Sequence, residues 1–171
     1  MSLDFLSDEE ILNNKGNRWR KFCLNPDIWE LEKKVNIDLI NQWKEVEFCK
    51  ENQDSIPSKQ GIYMFIARPI KNTPVHVAHS YILYIGQTEN LNQRFNSYFS
   101  YKNTTEPSDQ LKRMMILIWE RYLFFNYITN DYDKEKLTNL EYDLIDTVVP
   151  PINNRFRSRI LKTHINILAE R

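Results

Sequence analysis

Apolar and polar positions change rhythm at Gly61. Upstream, the signals are helical: Ser7 with Glu10 forms a capping box ahead of Ile11 and Leu12, and Asn25-Pro26 reads as an N-cap with proline at the first helical position. Ile37, Ile40, Trp43 and Phe48 continue at near-helical spacing and predict helix to about Asn52. Past the breaker at 56–60 the segment 61–67 (GIYMFIA) is apolar on both faces, as a central strand would be. A polar, proline-punctuated stretch at 69–79 separates it from a second aromatic and β-branched run at 80–86, which predicts an antiparallel hairpin with a long connection. Asn90 with Gln93 caps a helix carrying Leu91, Phe95, Tyr98 and Phe99, and Pro107-Ser108 opens another through Trp119. Residues 122–129 (YLFFNYIT) read as a third strand. Lys134 to Val149 is an amphipathic helix with Leu137, Leu140, Leu144, Ile145 and Val148 as its stripe, stopped by Pro150-Pro151. The expected fold is α+β, a small antiparallel three-stranded sheet flanked by helices. The expected organisation is a helical extension over 1–56, one domain over 57–155 and a basic helix or tail over 156–171.

Composition narrows the class. The 171 residues suffice for one well-buried domain, and 42% apolar with 27% charged residues excludes wholesale disorder. No apolar run is long enough for a membrane span, and the acidic start MSLDFLSDEE lacks the basic and apolar regions of a secretory signal. Cys23 and Cys49 do not make a metal-type pair, so a reduced cytoplasmic setting is expected. The 23 basic and 23 acidic side chains cancel globally, but residues before Gly61 carry a net −3 and the remainder +3. Glycine is scarce: Gly16, Gly61 and Gly86 are all there are, so few positions can take positive φ cheaply.

Chemistry enters with an ordered set of matches. Gly61-Ile62-Tyr63 and Tyr84-Ile85-Gly86 sit on adjacent expected strands, 84–99 reads YIGQTENLNQRFNSYF, and 140–153 reads LEYDLIDTVVPPIN. Together with the lead-in IPSKQGIY, residues 56–155 resemble the GIY-YIG nuclease superfamily, most of all the N-terminal nuclease domains of the bacterial excinuclease C type. The resemblance implies a metal-dependent DNA endonuclease that hydrolyses phosphodiester bonds with one metal ion, Mg²⁺ or Mn²⁺. It implies Glu141 as metal ligand, Arg94 on the phosphate, Tyr63 or Tyr84 as general base, Asn153 (or Asn154) as support, and Gly61, Gly86 and Tyr98 in supporting roles.

The residue types suit that chemistry. Glu141 shares a helix side with Ile145 and Val148, where a carboxylate is partly desolvated and gains from a cation. One carboxylate plus phosphate oxygens and waters suits Mg²⁺, which keeps much of its hydration. Arg94 and Tyr98 share a face, and a guanidinium offers a permanent fork to phosphate oxygens. A phenol makes a useful base only where cations stabilise its phenolate. Spacing alone leaves open a solvated flank for Glu141 and Arg94, and ordinary core aromatics for the tyrosines.

Two features depart from the family pattern. Twenty residues separate the tripeptides, making 69–79, with His76 and His79, an insertion; and Gln87 stands where the repair branch has lysine. For nucleic-acid contact, Arg155, Arg157, Arg159 and Lys162 form one cationic cluster, and Arg18, Arg20 and Lys21 with Lys15 surround Trp19 in a second. Each cluster is equally compatible with a solvated helix face. DNA is the expected partner, no membrane is, and a dimer is plausible for double-strand cleavage. The alternative reading is a catalytically inactive GIY-YIG-like module that binds DNA or protein. Both repair and restriction roles stay open.

Overall fold

The computed structural model describes residues 42–68, 80–159 and 162. The helices expected before residue 42, the cations Arg18, Arg20 and Lys21, the 69–79 insertion with both histidines, and most of the C-terminal tail lie outside the described residues.

Four strands make one antiparallel sheet in the order β1-β4-β2-β3, with β1 at Lys44–Glu47, β2 at Gly61–Ala67, β3 at Tyr81–Thr88 and β4 at Leu123–Thr129. Helices α1 (Leu91–Ser100), α2 (Gln110–Trp119) and α3 (Lys134–Val148) complete the described fold. The pleat of β2 sorts its side chains by parity. Tyr63, Phe65 and Ala67 enter a core shared with Leu91, Phe95 and Tyr98 of α1 and Met115 and Ile116 of α2. Ile62 enters the opposite core with Ile85, Ile128 and Leu137 and Ile145 of α3. Burial on both faces is what the unbroken apolar run GIYMFIA specifies, and β2 lies between β4 and β3 accordingly.

The fourth strand corrects the sequence reading twice: the sheet has four strands rather than three, and residues 44–47 are strand rather than helix. Local periodicity misleads here because the partner is remote. β1 pairs with Glu47 opposite Phe124 and Lys44 opposite Tyr127, and Phe48 N–H continues the ladder to the Leu123 carbonyl at 2.9 Å. Glu45 receives Arg68 and, at 3.1 Å, the Asn126 amide, while Arg68 also lies 4.0 Å from the Phe124 ring centroid. Trp43 and Phe48 then serve opposite cores, with Phe48 stacked on Phe99 at 4.4 Å. This edge strand joins the sheet although the sequence assigns it to the helical extension.

The starts of α1 and α3 follow their caps. Asn90 Oδ1 accepts from Gln93 N–H at 2.9 Å to start α1, and Asp133 accepts from Lys136 N–H at 2.8 Å to start α3. Helix α3 ends with Val149 at φ 52°, in the left-handed region, its N–H bonded to the Ile145 carbonyl at 2.8 Å. No described glycine has positive φ. No helix among the described residues is long and apolar enough to cross a membrane.

Candidate active site

The two glycines of the paired tripeptides are there for space rather than for positive φ. A Cβ on Gly61 would lie 2.2 Å from the Ile128 carbonyl oxygen, and one on Gly86 would lie 2.5 Å from the Tyr63 hydroxyl. Gly86 thus leaves room for the Tyr63 ring to lie across β3. Tyr63 and Tyr98 are sealed in the core, 2% and 0% exposed, and their hydroxyls share a hydrogen bond of 3.0 Å. Burial, then the neighbouring Tyr84, pushes the Tyr63 phenol well above its ordinary range, and burial does the same to Tyr98. Tyr84 is half-buried, its ring 6.2 Å from that of Tyr63 and 6.3 Å from that of Tyr98.

Tyr84 opens onto a cleft of about 420 Å³ whose walls include Glu141, Asn153, Arg155 and Lys112. These come from β3, α3, the segment after α3 and the start of α2. Glu141 is half-buried, and the Gln87 backbone N–H donates to its Oε1 at 3.2 Å. Burial raises its carboxyl above the ordinary glutamate value, against the opposing pull of the Gln87 hydrogen bond and the charges of Arg155 and Arg94. Asn153 makes two hydrogen bonds to one residue of β3: its Oδ1 accepts from Ile85 N–H at 2.9 Å and its Nδ2 donates to the Ile85 carbonyl at 2.8 Å. This two-point clasp on the middle of Tyr84-Ile85-Gly86 belongs to Asn153, while exposed Asn154 lines the cleft.

Arg94 lines a neighbouring cavity of about 350 Å³ with Gln87, Gln93, Lys134 and Gln60. Gln87 lines this second cavity and links it to the first by hydrogen bonds: its backbone N–H reaches Glu141, and its amide nitrogen donates to Thr138 Oγ1 at 2.9 Å. The charges of both Arg155 and Arg94 act on Glu141. Arg94 itself is half-buried among phenol groups; burial opposes its charge, but Tyr63, Tyr98, Tyr101 and Tyr84 together hold its proton more firmly than usual.

Among the described cations after α3, Arg155 is the one that lines the cleft. Arg157 packs on α3: its N–H donates to Asp146 Oδ1 at 3.1 Å, its guanidinium reaches Asn139 and lies 3.7 Å from Asp143, and it covers the Tyr142 ring. Arg159 is exposed but engaged, and Lys162 is exposed. Sequence reasoning passed over Lys112 and Asp109. Their one visible signal is an acid and a base three residues apart at the start of a helix.

Among the described residues, no three His, Cys, Asp or Glu side chains gather as a metal cage. Glu141 nevertheless fits a Mg²⁺-like ion. It is a partly desolvated carboxylate beside a polar, open cleft, and such an ion takes one or two carboxylates with phosphate and water for the remainder.

The family model described as the GIY-YIG catalytic domain matches residues 59–155. UvrABC system protein C of Synechococcus sp. (strain JA-3-3Ab) is 30% identical over 107 residues, which cover 63% of this chain and 14% of that protein. UvrABC system protein C of Aster yellows witches'-broom phytoplasma (strain AYWB) is 34% identical over 121 residues, covering 71% of this chain and 17% of that protein. The chain thus spans about a sixth of the length of these relatives. Among solved structures, the GIY-YIG N-terminal endonuclease domain of UvrC from Thermotoga maritima bound to magnesium, its catalytic divalent cation, shares 20% identity. That match covers 61% of this chain and 93% of the domain, with a TM-score of 0.39.

Proposed function

This chain belongs to the GIY-YIG family, and from that premise we propose that it is a metal-dependent endonuclease acting on DNA. The observation that carries the reading is convergence. Tyr84, Glu141 and Asn153, far apart in sequence, meet around one polar cleft, and Arg94, lining a second cavity, is near enough for its charge to act on Glu141. The match to the GIY-YIG catalytic domain over residues 59–155 supports a nuclease, and the partly desolvated Glu141 carboxylate beside a polar cleft supports a divalent metal as cofactor.

Phosphodiester hydrolysis needs a water made nucleophilic, phosphate charge neutralised and a leaving oxygen stabilised. Glu141 would hold the ion, Mg²⁺ or Mn²⁺, which when bound supplies Lewis-acid charge at the phosphate. Arg94 approaches the phosphate from the adjoining cavity with a charge that no working pH removes. Tyr84 is the base candidate with access to water. Tyr63 is sealed and hydrogen-bonded, and its burial resists phenolate formation. Tyr63 and Tyr98 instead hold Tyr84 and Arg94 in place by packing. Asn153 fixes the strand that carries Tyr84. Arg155 binds the flanking backbone.

The test is cleavage of supercoiled, linear, branched and single-stranded DNA with Mg²⁺ or Mn²⁺. Metal-dependent nicking that Glu141→Gln abolishes is expected. No cleavage on any of these substrates, or cleavage unaltered by the substitution, overturns the reading.

A further inference from the structure

Lys112 sits close to the start of α2, which continues directly from a 3-10 turn at Pro107–Asp109. It is the third residue of α2, in the first turn, where the helix dipole disfavours a cation. Asp109, at the N-cap position, makes no side-chain cap. Its Oδ1 accepts instead from Lys112 Nζ at 2.9 Å. A carboxylate at this position ordinarily caps the helix, and here it is turned onto the lysine.

The remaining contacts aim and hold the ammonium. Nζ lies 3.5 Å from the Tyr101 hydroxyl and 4.9 Å from the Tyr101 ring centroid, and both Lys112 and Asp109 are half-buried. An ammonium has three donors, and the contacts among the described residues use two. Lys112 lines the same cleft as Tyr84, Glu141, Asn153 and Arg155. Burial works against its charge, but Asp109, Tyr84 and Tyr101 outweigh it and raise its proton affinity, so the group stays cationic.

We propose that Lys112, oriented by Asp109, is a phosphate-contacting residue of the cleft, binding the nucleic-acid backbone opposite Arg155. The proposal rests on the nuclease reading and adds a contact that the basic C-terminal cluster does not provide. A half-buried, pre-aimed ammonium loses less side-chain freedom on binding than an exposed lysine does.

The decisive measurement is the salt dependence of duplex binding by the metal-free protein. Each phosphate contact contributes about 0.9 to the slope of log affinity against log salt. Lys112→Gln is expected to reduce the slope by about that amount, and Lys112→Arg to restore it. Asp109→Asn keeps the cation but frees it, so it should preserve the slope while lowering kcat/KM. In parallel, acetylation of the wild-type protein, read by mass spectrometry, should show duplex protecting Lys112 more than Lys50, which lies away from the cleft. This second arm needs no variant to fold. A slope unchanged in folded Lys112→Gln, or labelling of Lys112 indifferent to DNA, overturns the proposal while leaving the nuclease reading intact. A wild-type protein that neither binds nor cuts nucleic acid overturns both.

Discussion

The layer between the sheet and α1/α2 and the cleft between β3 and α3 are built from the same residue type to opposite ends. In the first, Tyr63 and Tyr98 are sealed beside Phe65, Phe95 and Phe125, and the two hydroxyls satisfy each other. In the second, Tyr84 stands half-buried at the edge of a polar space with Glu141 and Arg155. Consecutive strands therefore present one tyrosine to a dry interior and one to solvent. In the layer, shape decides which residues are tolerated; in the cleft, charge and access to water do. Changes in the layer should register as stability, and changes in the cleft as rate.

The sharpest separation is expected at Glu141. Glu141→Gln should lower the cleavage rate by about a thousandfold or more, roughly 4 kcal/mol of transition-state stabilisation. Stability should move the other way. The folded-state carboxyl titrates above its unfolded value because of burial, so its contribution is intact at low pH and is lost as pH rises through the raised value. Wild type should therefore lose stability over the window just above the ordinary glutamate range, where the Gln variant stays flat. Cleavage should rise over that same window as the carboxylate ionises. Thermal melts and rates measured across pH check both signs, and a Gln variant less stable than wild type at neutral pH would break the contrast.

At the layer the largest effect is Gly61→Ala. The new methyl would meet a backbone oxygen at 2.2 Å and Leu91 at 2.8 Å, and the backbone oxygen cannot rotate away. About 3 kcal/mol of destabilisation is expected, at the upper end for overpacking, read by urea denaturation. Next come the paired phenol deletions. Tyr84→Phe should cost about a hundredfold in rate and under about 0.5 kcal/mol in stability. Tyr63→Phe should cost about 1–2 kcal/mol in stability, because the Tyr98 hydroxyl loses its buried partner, with a smaller effect on rate. The reverse ranking of the two rates would make Tyr63 the base.

These contrasts were partly legible in the sequence. The doubly apolar run of β2, the caps at Asn90 and the stripe of α3 are local signals, and the structure follows them. The ordered matches pointed to Tyr84, Glu141 and Asn153, which line one cleft, and to Arg94, which lines a second cavity, since motif spacing carries geometry that composition does not. What escaped depended on remote partners. β1 has its reason in β4, nearly eighty residues away, and in the Arg68 and Asn126 side chains that engage Glu45. Lys112 looks like any surface lysine until Tyr101 and Asp109 are in place. The contacts of Arg157 with α3 were equally invisible, because a run of cations does not say which of them faces an acid.

The smallest expected effect tests the joint between the two regions. Val149 ends α3 in the left-handed region, where a β-branched residue is strained by about 1–3 kcal/mol. In this chain the position that glycine commonly takes is held by a valine whose side chain is buried with Ile62, Ile85 and Ile145. Burying a valine side chain contributes about 1.5–3 kcal/mol. Val149→Gly relieves the strain and forfeits the packing, so the two changes should nearly cancel and leave stability within about 1 kcal/mol of wild type. The residue directs the chain through Pro150 and Pro151 toward Asn153, and that fixes what the variant should do to rate. A freer joint loosens the Asn153 clasp on Ile85, so cleavage should fall several-fold although the melt barely moves. Loss of stability beyond about 2 kcal/mol would mean that packing outweighs strain at the joint. An unchanged rate would mean that the clasp holds β3 without help from the turn before it.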